Sequence, residues 1–293
     1  MLDITYEGLN LAEFGQQILY FISLDQTHWI ATLALILFFF PLERLFPKVV
    51  RNTAFSRISV VLILAICANF TIWLIKNTVY FDIIRFYLNL QIYSISKAPI
   101  PTLLIYAICF LAIDLAVYIY HLLSHKITPL WKLHSIHHAD ETVDASTGIL
   151  QHPFETVGSL LFVLLIVVAF GFPVLTLVVF TAAGTLHNMF SHANIALPVW
   201  VDRILRLVIV TPDMHRTHHS IDLREGNANF GQIFSFWDRM FGTYIDRPAS
   251  GEADLIMGLP VAEKPKSFTV RGLLFHPFAG LVPGRKGTKR PRR

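Results

Sequence analysis

Long uncharged apolar runs constrain the fold of this chain more than any other feature. Residues 29–42, 58–75, 98–120 and 156–186 form four such blocks, and the only charge inside them is Asp114. A helix needs about 20 apolar residues to cross a hydrocarbon core about 30 Å thick. The second and third blocks have that length, whereas the first must borrow its flanks. The sequence therefore predicts an integral membrane protein.

The composition agrees with this prediction. Hydrophobic residues make up 54 % of the 293 residues and charged residues only 15 %, against about 25 % charged residues in typical soluble domains. These values exclude a disordered chain and a basic nucleic-acid-binding domain. Six basic residues lie at positions 285–293, and without them the net charge of +4 becomes −2. The basic tail is therefore expected to face lipid on the cytosolic side, or to be a disordered solubilising end.

The fourth block is too long for a single crossing. Its 31 residues would form a helix of roughly 45 Å, and Gly171, Phe172 and Pro173 lie at its middle, where Pro removes a backbone donor and interrupts a helix. We expect a hairpin with two arms of roughly 21 Å each, which is short of a full crossing. Both ends of the hairpin then emerge on one side of the membrane.

Loop charges predict the orientation. Four basic residues lie between the first two blocks beside a single acidic residue, Glu43, and the positive-inside rule places such a loop in the cytosol. The basic residues are Arg44, Lys48, Arg51 and Arg57. The N-terminus and residues 76–97 are then expected outside, and everything from His121 onward, except the hairpin, in the cytosol. The first fifteen residues contain three acidic residues and no basic one, so a cleavable signal peptide is not expected.

Eleven of the 13 His residues lie between positions 121 and 219, and most of them occur in clusters. Spacings of three and four residues place imidazoles on one face of a helix. Imidazole is a ligand for Fe, Zn, Cu and Ni, and ten convergent His are more than one ion can coordinate. The pattern predicts two metal ions near the ends of the apolar blocks. For an isolated residue such as His28 or His276, a structural hydrogen bond is the expected role.

Seven short motifs follow one another in the segment from about 103 to 245. They are DLAVYIYHLLSH (114–125), LHSIHH (133–138), HPFE (152–155), SHANI (191–195), TPDMHRTHHS (211–220), NFG (229–231) and WDRMFGT (237–243). In the order and combination of these motifs, the segment resembles the fatty acid hydroxylase superfamily, also called the sterol desaturase family, of membrane di-iron oxygenases.

The resemblance implies a di-iron centre that reacts with O₂, with zinc as an alternative occupant after purification. It implies nine metal ligands and a tenth, His187, with less support from the motifs. The nine are His121, His125, His134, His137, His138, His192, His215, His218 and His219. The resemblance also implies a lipid substrate from the bilayer, which is an acyl chain, a sterol-like ring or a polar lipid, and either hydroxylation or desaturation of it.

Two further residues are expected to contact ligands instead of metal. Asp114 lies two helical turns before His121, and a carboxylate there could orient a ligand through Tyr118 or water; a plain helix–helix hydrogen bond is the alternative. His152, before Pro153, is either such a partner, a ligand or a structural residue. Asn229 and residues 237–243 are expected to form a turn that fixes the last His helix.

Three acidic residues follow the second His cluster. Asp140, Glu141 and Asp144 are expected to form a solvated face.

The electron supply is expected to come from another protein. Only two cysteines occur, and the chain has no HPGG-type haem segment or Gly-rich dinucleotide fingerprint. An external electron donor, a reductase or a ferredoxin-like or haem protein, is therefore predicted, together with membrane lipid and no nucleic acid as partners.

The sequence thus predicts an all-α integral membrane bundle of about three spanning helices plus a broken helical hairpin, with a cytosolic His-rich helical cap. Residues 1–100 would form membrane helices and loops, 101–247 the catalytic domain, and 248–293 a cytosolic extension that is largely irregular. A His-rich metal transporter or sensor without catalysis is the alternative function; its ion site would be expected near the bilayer midplane. A zinc hydrolase would need a general base such as the Glu of HExxH, and the His clusters contain none.

Overall fold

The computed structural model describes residues 5–6, 9–10, 25–50, 55–78 and 95–279. Apart from a two-residue antiparallel pair, β1 (Thr5–Tyr6) and β2 (Leu9–Asn10), the described elements are helical, as predicted. The N-terminal end, most of the 76–97 loop and the basic C-terminal tail lie outside the described residues.

The α-helices are α1 (Asp25–Leu45), α2 (Phe55–Thr78), α3 (Thr102–Lys126), α4 (Thr128–His134), α5 (Pro153–Ala169), α6 (Val174–His192), α7 (Val199–Leu205), α8 (Pro212–His218), α9 (Phe236–Met240) and α10 (Val270–Phe275). Short 3₁₀ turns join them, of which His137–Ala139 and Ala145–Ile149 matter for the site.

Three of the described helices are long and apolar enough to cross a membrane, and the chain is a membrane protein. They are α2 over Phe55–Ile75, α3 over Thr102–Lys126, and α6 over Val174–His192. The first two correspond to the second and third predicted blocks. The third is the second hairpin arm, which is longer than expected because uncharged residues after position 186 continue the helix to His192. The first block lies within α1, which contains Pro41.

The predicted hairpin is confirmed. α5 ends at Ala169 and α6 begins at Val174. Gly171 between them adopts φ +57°, a left-handed conformation that glycine tolerates best. The N–H of Phe172 donates to the carbonyl of Val167 at 2.8 Å, which closes the end of α5.

Two of the buried clusters join the helices that surround the His residues. One joins α3, α5 and α6 through residues that include Cys109, Ile113, Val167 and Leu177. The side chains on the outer face of α2 are instead exposed, as Ile66 (58 %) and Phe70 (59 %) show, which is expected of a surface that meets lipid.

The second cluster joins α2 to the loop after α4 and to the C-terminal region. Val61 and Leu64 of α2 pack with Ile136, and Leu259 and Leu273 complete the cluster. The segment after Gly251 is therefore more ordered than the sequence predicted, because two of its Leu side chains are buried beside the His-bearing loop.

Candidate metal centre

Nine of the His residues that occur between positions 121 and 219 converge into two adjoining groups. In each group, one nitrogen of every imidazole lies within 4.8 Å of one nitrogen of every other member. The first His group consists of His121, His125, His134, His138 and His218. The second His group consists of His137, His192, His215 and His219. Each group could hold a metal ion.

Two candidate membrane-spanning helices end at these groups. His121 and His125 lie four residues apart near the end of α3, so their side chains share one face. His192 is the last residue of α6. Because the C-terminal ends of α3 and α6 meet at one place, the site lies at the end of the helical bundle and not at the middle of a spanning helix.

Neighbouring His residues in the sequence are divided between the two groups. His137 and His138 are consecutive, yet His137 belongs to the second group and His138 to the first. His218 and His219 are divided in the same way. The imidazole centroids of His138 and His219 are only 4.5 Å apart, so the two groups form one continuous centre.

Carbonyl oxygens fix the imidazoles of the first group. His121 Nδ1 lies 2.9 Å from the carbonyl oxygen of Phe230, and His218 Nδ1 lies 2.7 Å from that of Ala228. A carbonyl can only accept, so Nδ1 carries the proton and Nε2 presents its lone pair. The buried Nε2 atoms of His121, His138 and His218 have no hydrogen-bond partner within the described ranges. Such lone pairs, aimed at a common point, fit a cation.

The second group supports the same conclusion more strongly. His137 Nδ1 lies 3.2 Å from the carbonyl oxygen of Leu150, and His192 Nδ1 lies 2.6 Å from that of Asn188. Both Nε2 atoms are therefore unprotonated, yet they lie 3.0 Å apart. His215 Nε2 is a further 2.9 Å from His192 Nε2. Two facing lone pairs repel each other, whereas a separation of about 3 Å suits nitrogens that share one ion at about 2.1 Å each.

Burial keeps these imidazoles neutral. Desolvation, followed by the charges of neighbouring His residues, lowers the pKa of His138, His215, His218 and His219 well below the usual value, and it lowers the pKa of His137 to about 4. Neutral imidazole is the form that binds metal ions. These imidazoles are therefore already in the neutral form that metal binding requires.

Glu155 is the functional residue that the sequence analysis missed. Its Oε1 lies 2.5 Å from Nδ1 of His134, so the carboxylate orients that imidazole, as partners of metal-ligating His commonly do. Glu155 is 4 % exposed and occupies the first turn of α5. A signal was present, because Glu155 directly precedes the fourth apolar block and ends the HPFE stretch.

Three further sequence candidates, His187, His152 and Asp114, lie outside both groups. His187 is buried on α6, five residues before His192, and is a member of neither group. His152 caps α5, where its Nδ1 accepts from the N–H of Phe154, and its Nε2 lies 3.2 Å from the carbonyl oxygen of Leu274. Its contacts are those of a structural residue.

Asp114 does not orient a His ligand through Tyr118, as had been expected, but contacts the segment around Ile233. It accepts hydrogen bonds from the backbone N–H groups of Ile233 and Phe234 and from Nε1 of Trp237, at 2.8–3.2 Å. Tyr118, the expected intermediary, pairs with Thr243 instead. Asp114 thus anchors the segment that follows the Phe230 carbonyl.

Asn229 fixes the last His helix, as predicted. It has φ +55°, and its Nδ2 donates to the carbonyl oxygens of Met214, on α8, and of Ile245. The turn that carries Ala228 and Phe230 is therefore tied directly to the helix that carries His215 and His218.

Comparison with known proteins agrees with this site. The family model described as fatty acid hydroxylase matches residues 106–243. An ornithine lipid hydroxylase of Rhizobium tropici is 27 % identical over 176 residues, which are 60 % of this chain and 49 % of the relative.

Two other relatives are similar to a smaller share of this chain. An alkylglycerol monooxygenase of Danio rerio is 28 % identical over 47 % of this chain and 30 % of its own. A cholesterol 25-hydroxylase of Rattus norvegicus is 28 % identical over 49 % of this chain and 47 % of its own. The chain thus spans about half or less of the length of these relatives, and no solved structure is significantly similar to it. Residues 106–243 contain all nine His residues of the two groups, and the named relatives are hydroxylases or monooxygenases. This segment of the chain is therefore similar to the fatty acid hydroxylase family.

Proposed function

We propose that this chain is a membrane-bound di-iron oxygenase that uses O₂ to hydroxylate or desaturate a lipid. The observation that carries the proposal is the pair of adjoining His groups at the ends of α3 and α6. The named relatives, which act on ornithine lipid, alkylglycerol and cholesterol, support a lipid as substrate. The nine grouped His residues are the proposed ligands, five in the first group and four in the second.

The chemistry of the substrate explains why metal ions are needed. The C–H bonds of a lipid chain or ring are too weakly acidic for any side chain to remove their protons. Bound iron would supply the activation of O₂ and the removal of hydrogen from carbon. In hydroxylation, one oxygen atom enters the product and the other becomes water; in desaturation, both oxygen atoms become water. Either outcome takes up electrons from an external donor, and a reductase or a ferredoxin-like or haem protein is the proposed source.

The protein's own contribution is to hold and shield the ligands. Phe230, Ala228 and Leu150 accept from Nδ1 atoms through their carbonyl oxygens, and so fix the tautomer that presents Nε2. Glu155 does the same for His134 with a carboxylate. Since the grouped imidazoles are almost entirely buried, bulk water is excluded from the place where hydrogen would be removed.

The proposed topology follows from the loop charges. The loop between α1 and α2 and the His groups lie on the cytosolic side, together with the C-terminus, and the N-terminus lies outside. Electron donors of the cytosol would then reach the His groups directly, while the substrate enters from the bilayer. Labelling of single cysteines placed at Thr142 and at Lys97, in sealed vesicles, tests this: only the first is expected to react from the cytosolic side.

A reconstitution experiment tests the activity. The full chain, expressed and purified without oxygen, is loaded with iron and incubated with a reduced electron carrier, O₂ and membrane lipid extract. Mass spectrometry should detect a lipid that has gained one oxygen or lost two hydrogens. Zinc-loaded protein is the matched control, because zinc fits the same imidazoles but has no redox chemistry. If neither the iron-loaded nor the zinc-loaded protein oxidised a lipid, the proposal would be contradicted.

The alternative, a metal transporter without catalysis, is less consistent with the geometry. Transporter ion sites lie near the bilayer midplane between broken helices, whereas both His groups lie at helix ends. Uptake of iron into vesicles that contain the protein separates the two functions: the oxygenase should show none.

A further inference from the structure

A cavity of about 180 Å³ lies between membrane helices, and its lining includes none of the nine grouped His residues. Helices α1, α2, α5 and α6 and the 3₁₀ turn Ala145–Ile149 surround it. Its α2 wall consists of Ala65, Ala68, Asn69 and Ile72, whose spacing places them on one face of that helix. Asn69 lies 12 residues beyond Arg57, or about 18 Å along the helix axis. The cavity therefore extends well into the membrane-spanning part of the bundle.

The lining of this cavity is polar but carries no charge. Six of its eleven lining residues carry a hydroxyl or an amide: Thr32, Asn69, Gln151, Thr156, Thr185 and Asn188. The opposite face of α2 is apolar and exposed, as Ile66 and Phe70 show. Polar residues within membrane helices are unfavourable and are retained mainly where they serve a function. Their convergence on one cavity indicates a hydrogen-bonding ligand without charge.

Thr32 shows that the hydrogen-bonding capacity of the cavity is not used up by the protein. Its side chain is 3 % exposed, and its Oγ1 has no hydrogen-bond partner in the part of the chain that the structure describes. The Thr185 hydroxyl donates to the carbonyl oxygen of Thr181 at 2.8 Å, which leaves its own oxygen able to accept. Asn69 donates through Nδ2 to the carbonyl oxygen of Ala65 and keeps its amide oxygen. The cavity can thus both donate and accept.

One wall of the cavity is shared with the second His group. Asn188 lines the cavity and donates to the carbonyl oxygen of Gly148, another lining residue, at 2.5 Å. The carbonyl oxygen of Asn188 accepts from Nδ1 of His192 at 2.6 Å. A ligand in the cavity would therefore contact a residue that directly holds a proposed metal ligand. This proximity favours the lipid substrate as the occupant over an unrelated structural lipid.

We propose that this cavity binds the uncharged polar part of the lipid substrate, a hydroxyl or an amide, and so selects substrates that carry one. The inference rests on the proposed function for its catalytic meaning. Room for about six water-sized groups fits an ethanolamide- or glycerol-sized group with the first carbons of its chain. A free carboxylate or a phosphate is disfavoured, because burying a charge without a counter-charge is strongly unfavourable, and the lining offers none.

Binding of two matched probes to the full chain tests the proposal. N-oleoylethanolamine and oleate share one acyl chain, but only the first ends in an uncharged amide and hydroxyl. Native mass spectrometry of the iron-loaded protein in detergent should show at least about tenfold tighter binding of the amide, a ratio that corresponds to one or two additional hydrogen bonds. Equal binding of the two probes, as expected if the cavity holds only water, would overturn the proposal.

Variants connect the binding to this cavity. Thr32→Val removes the unpartnered hydroxyl and should weaken amide binding about 3- to 10-fold. Ala68→Leu fills the space and should weaken it at least about tenfold. Thr71→Val is the matched control, because Thr71 lies on α2 outside the cavity and donates to the carbonyl oxygen of Cys67. Loss of binding in the control to the same extent, or unchanged binding in both cavity variants, would contradict the assignment.

The metal content of each variant is measured in parallel and should not change. A protein that binds the amide in the cavity but oxidises no lipid would refute the proposed function and leave the binding site intact. A protein that oxidises lipids but does not distinguish the probes would refute the binding site and leave the function intact.

Discussion

Arg57 Nε donates to Oδ1 of Asp140 at 2.9 Å, across 83 positions of the sequence. The same guanidinium donates to Asp144 at 2.7 Å and to Thr147 at 2.9 Å, and all of these groups are buried. Burial acts to raise the pKa of Asp140, but the hydrogen bonds and charge of Arg57 outweigh it, and the pKa lies below its usual value. A helix outside the 106–243 segment thus fixes the loop that immediately follows His138.

Replacing this arginine should loosen the loop. Arg57→Gln leaves two buried carboxylates without their counter-charge, and we expect a loss of about 3–5 kcal/mol in the free energy of unfolding. Because Asp140 lies two residues after His138, metal retention should fall as well. Thermal unfolding of the metal-loaded protein and its metal content measure the two effects.

Arg203→Gln is the control for this change, because Arg203 is exposed on α7. It should alter unfolding by less than about 0.5 kcal/mol. A comparable loss of stability in both variants would mean that the buried ion pairs around Arg57 contribute little to the loop.

Adjacent His residues should affect different ions. His137→Gln removes a member of the second group, whereas His138→Gln removes a member of the first. With four or five imidazoles per group, loss of one should weaken one ion selectively, so the metal content should fall from about two ions per chain towards about one. Lipid oxidation should be lost in both variants.

Elemental analysis gives the number of ions, and Mössbauer spectroscopy of ⁵⁷Fe-loaded protein shows which environment is lost. The two variants should retain different iron signals. Identical spectra would show that the two groups do not hold separate ions.

His187 should not be required for metal binding. The sequence made it a tenth ligand, but it lies outside both groups. His187→Gln is therefore expected to keep the metal content of the unmodified protein, whereas His192→Gln, on the same helix, should lose metal. A parallel loss of metal in both variants would restore His187 as a ligand and contradict the grouping.

The membrane class, the hairpin and the convergence of His residues could be predicted because each depends on local pattern. Uncharged length identifies a spanning helix, and Gly171 and Pro173 interrupt one. A spacing of four residues places His121 with His125, His134 with His138 and His215 with His219 in one group. Each of these features depends on residues that are close together in the chain, so each can be recognised from the sequence.

The partners of the site could not be predicted in the same way, because they are distant in sequence. Asp140 and Asp144 were expected to face solvent, but Arg57 from α2 pairs with them, and no local pattern indicates that contact. Glu141 between them is exposed, as expected. Likewise Asp114 was expected to act on a ligand, yet its partners include Trp237, which lies 123 positions away.

Glu43 illustrates the same limit for the orientation of whole helices. Its Oε1 accepts from the N–H of Ala145 at 2.7 Å and from the N–H of Asn194 at 2.8 Å. One carboxylate at the end of α1 therefore holds both the loop after His138 and the residue two positions after His192. From the sequence alone, Glu43 was recognised only as the single acidic residue in a basic loop.

The contact between Glu155 and His134 provides the last prediction. Glu155→Gln keeps the size of the side chain but removes its charge, so His134 would be oriented by a weaker neutral acceptor. Partners of this kind typically contribute 10- to 100-fold to metal affinity or activity, and we expect a loss of about that size in iron affinity, with the fold intact. Competition with a chelator, followed by circular dichroism, measures both. Asp254→Asn, an equivalent change at an exposed carboxylate, should alter neither. If Glu155→Gln bound iron as tightly as the unmodified protein, the carboxylate would have no part in holding the first His group.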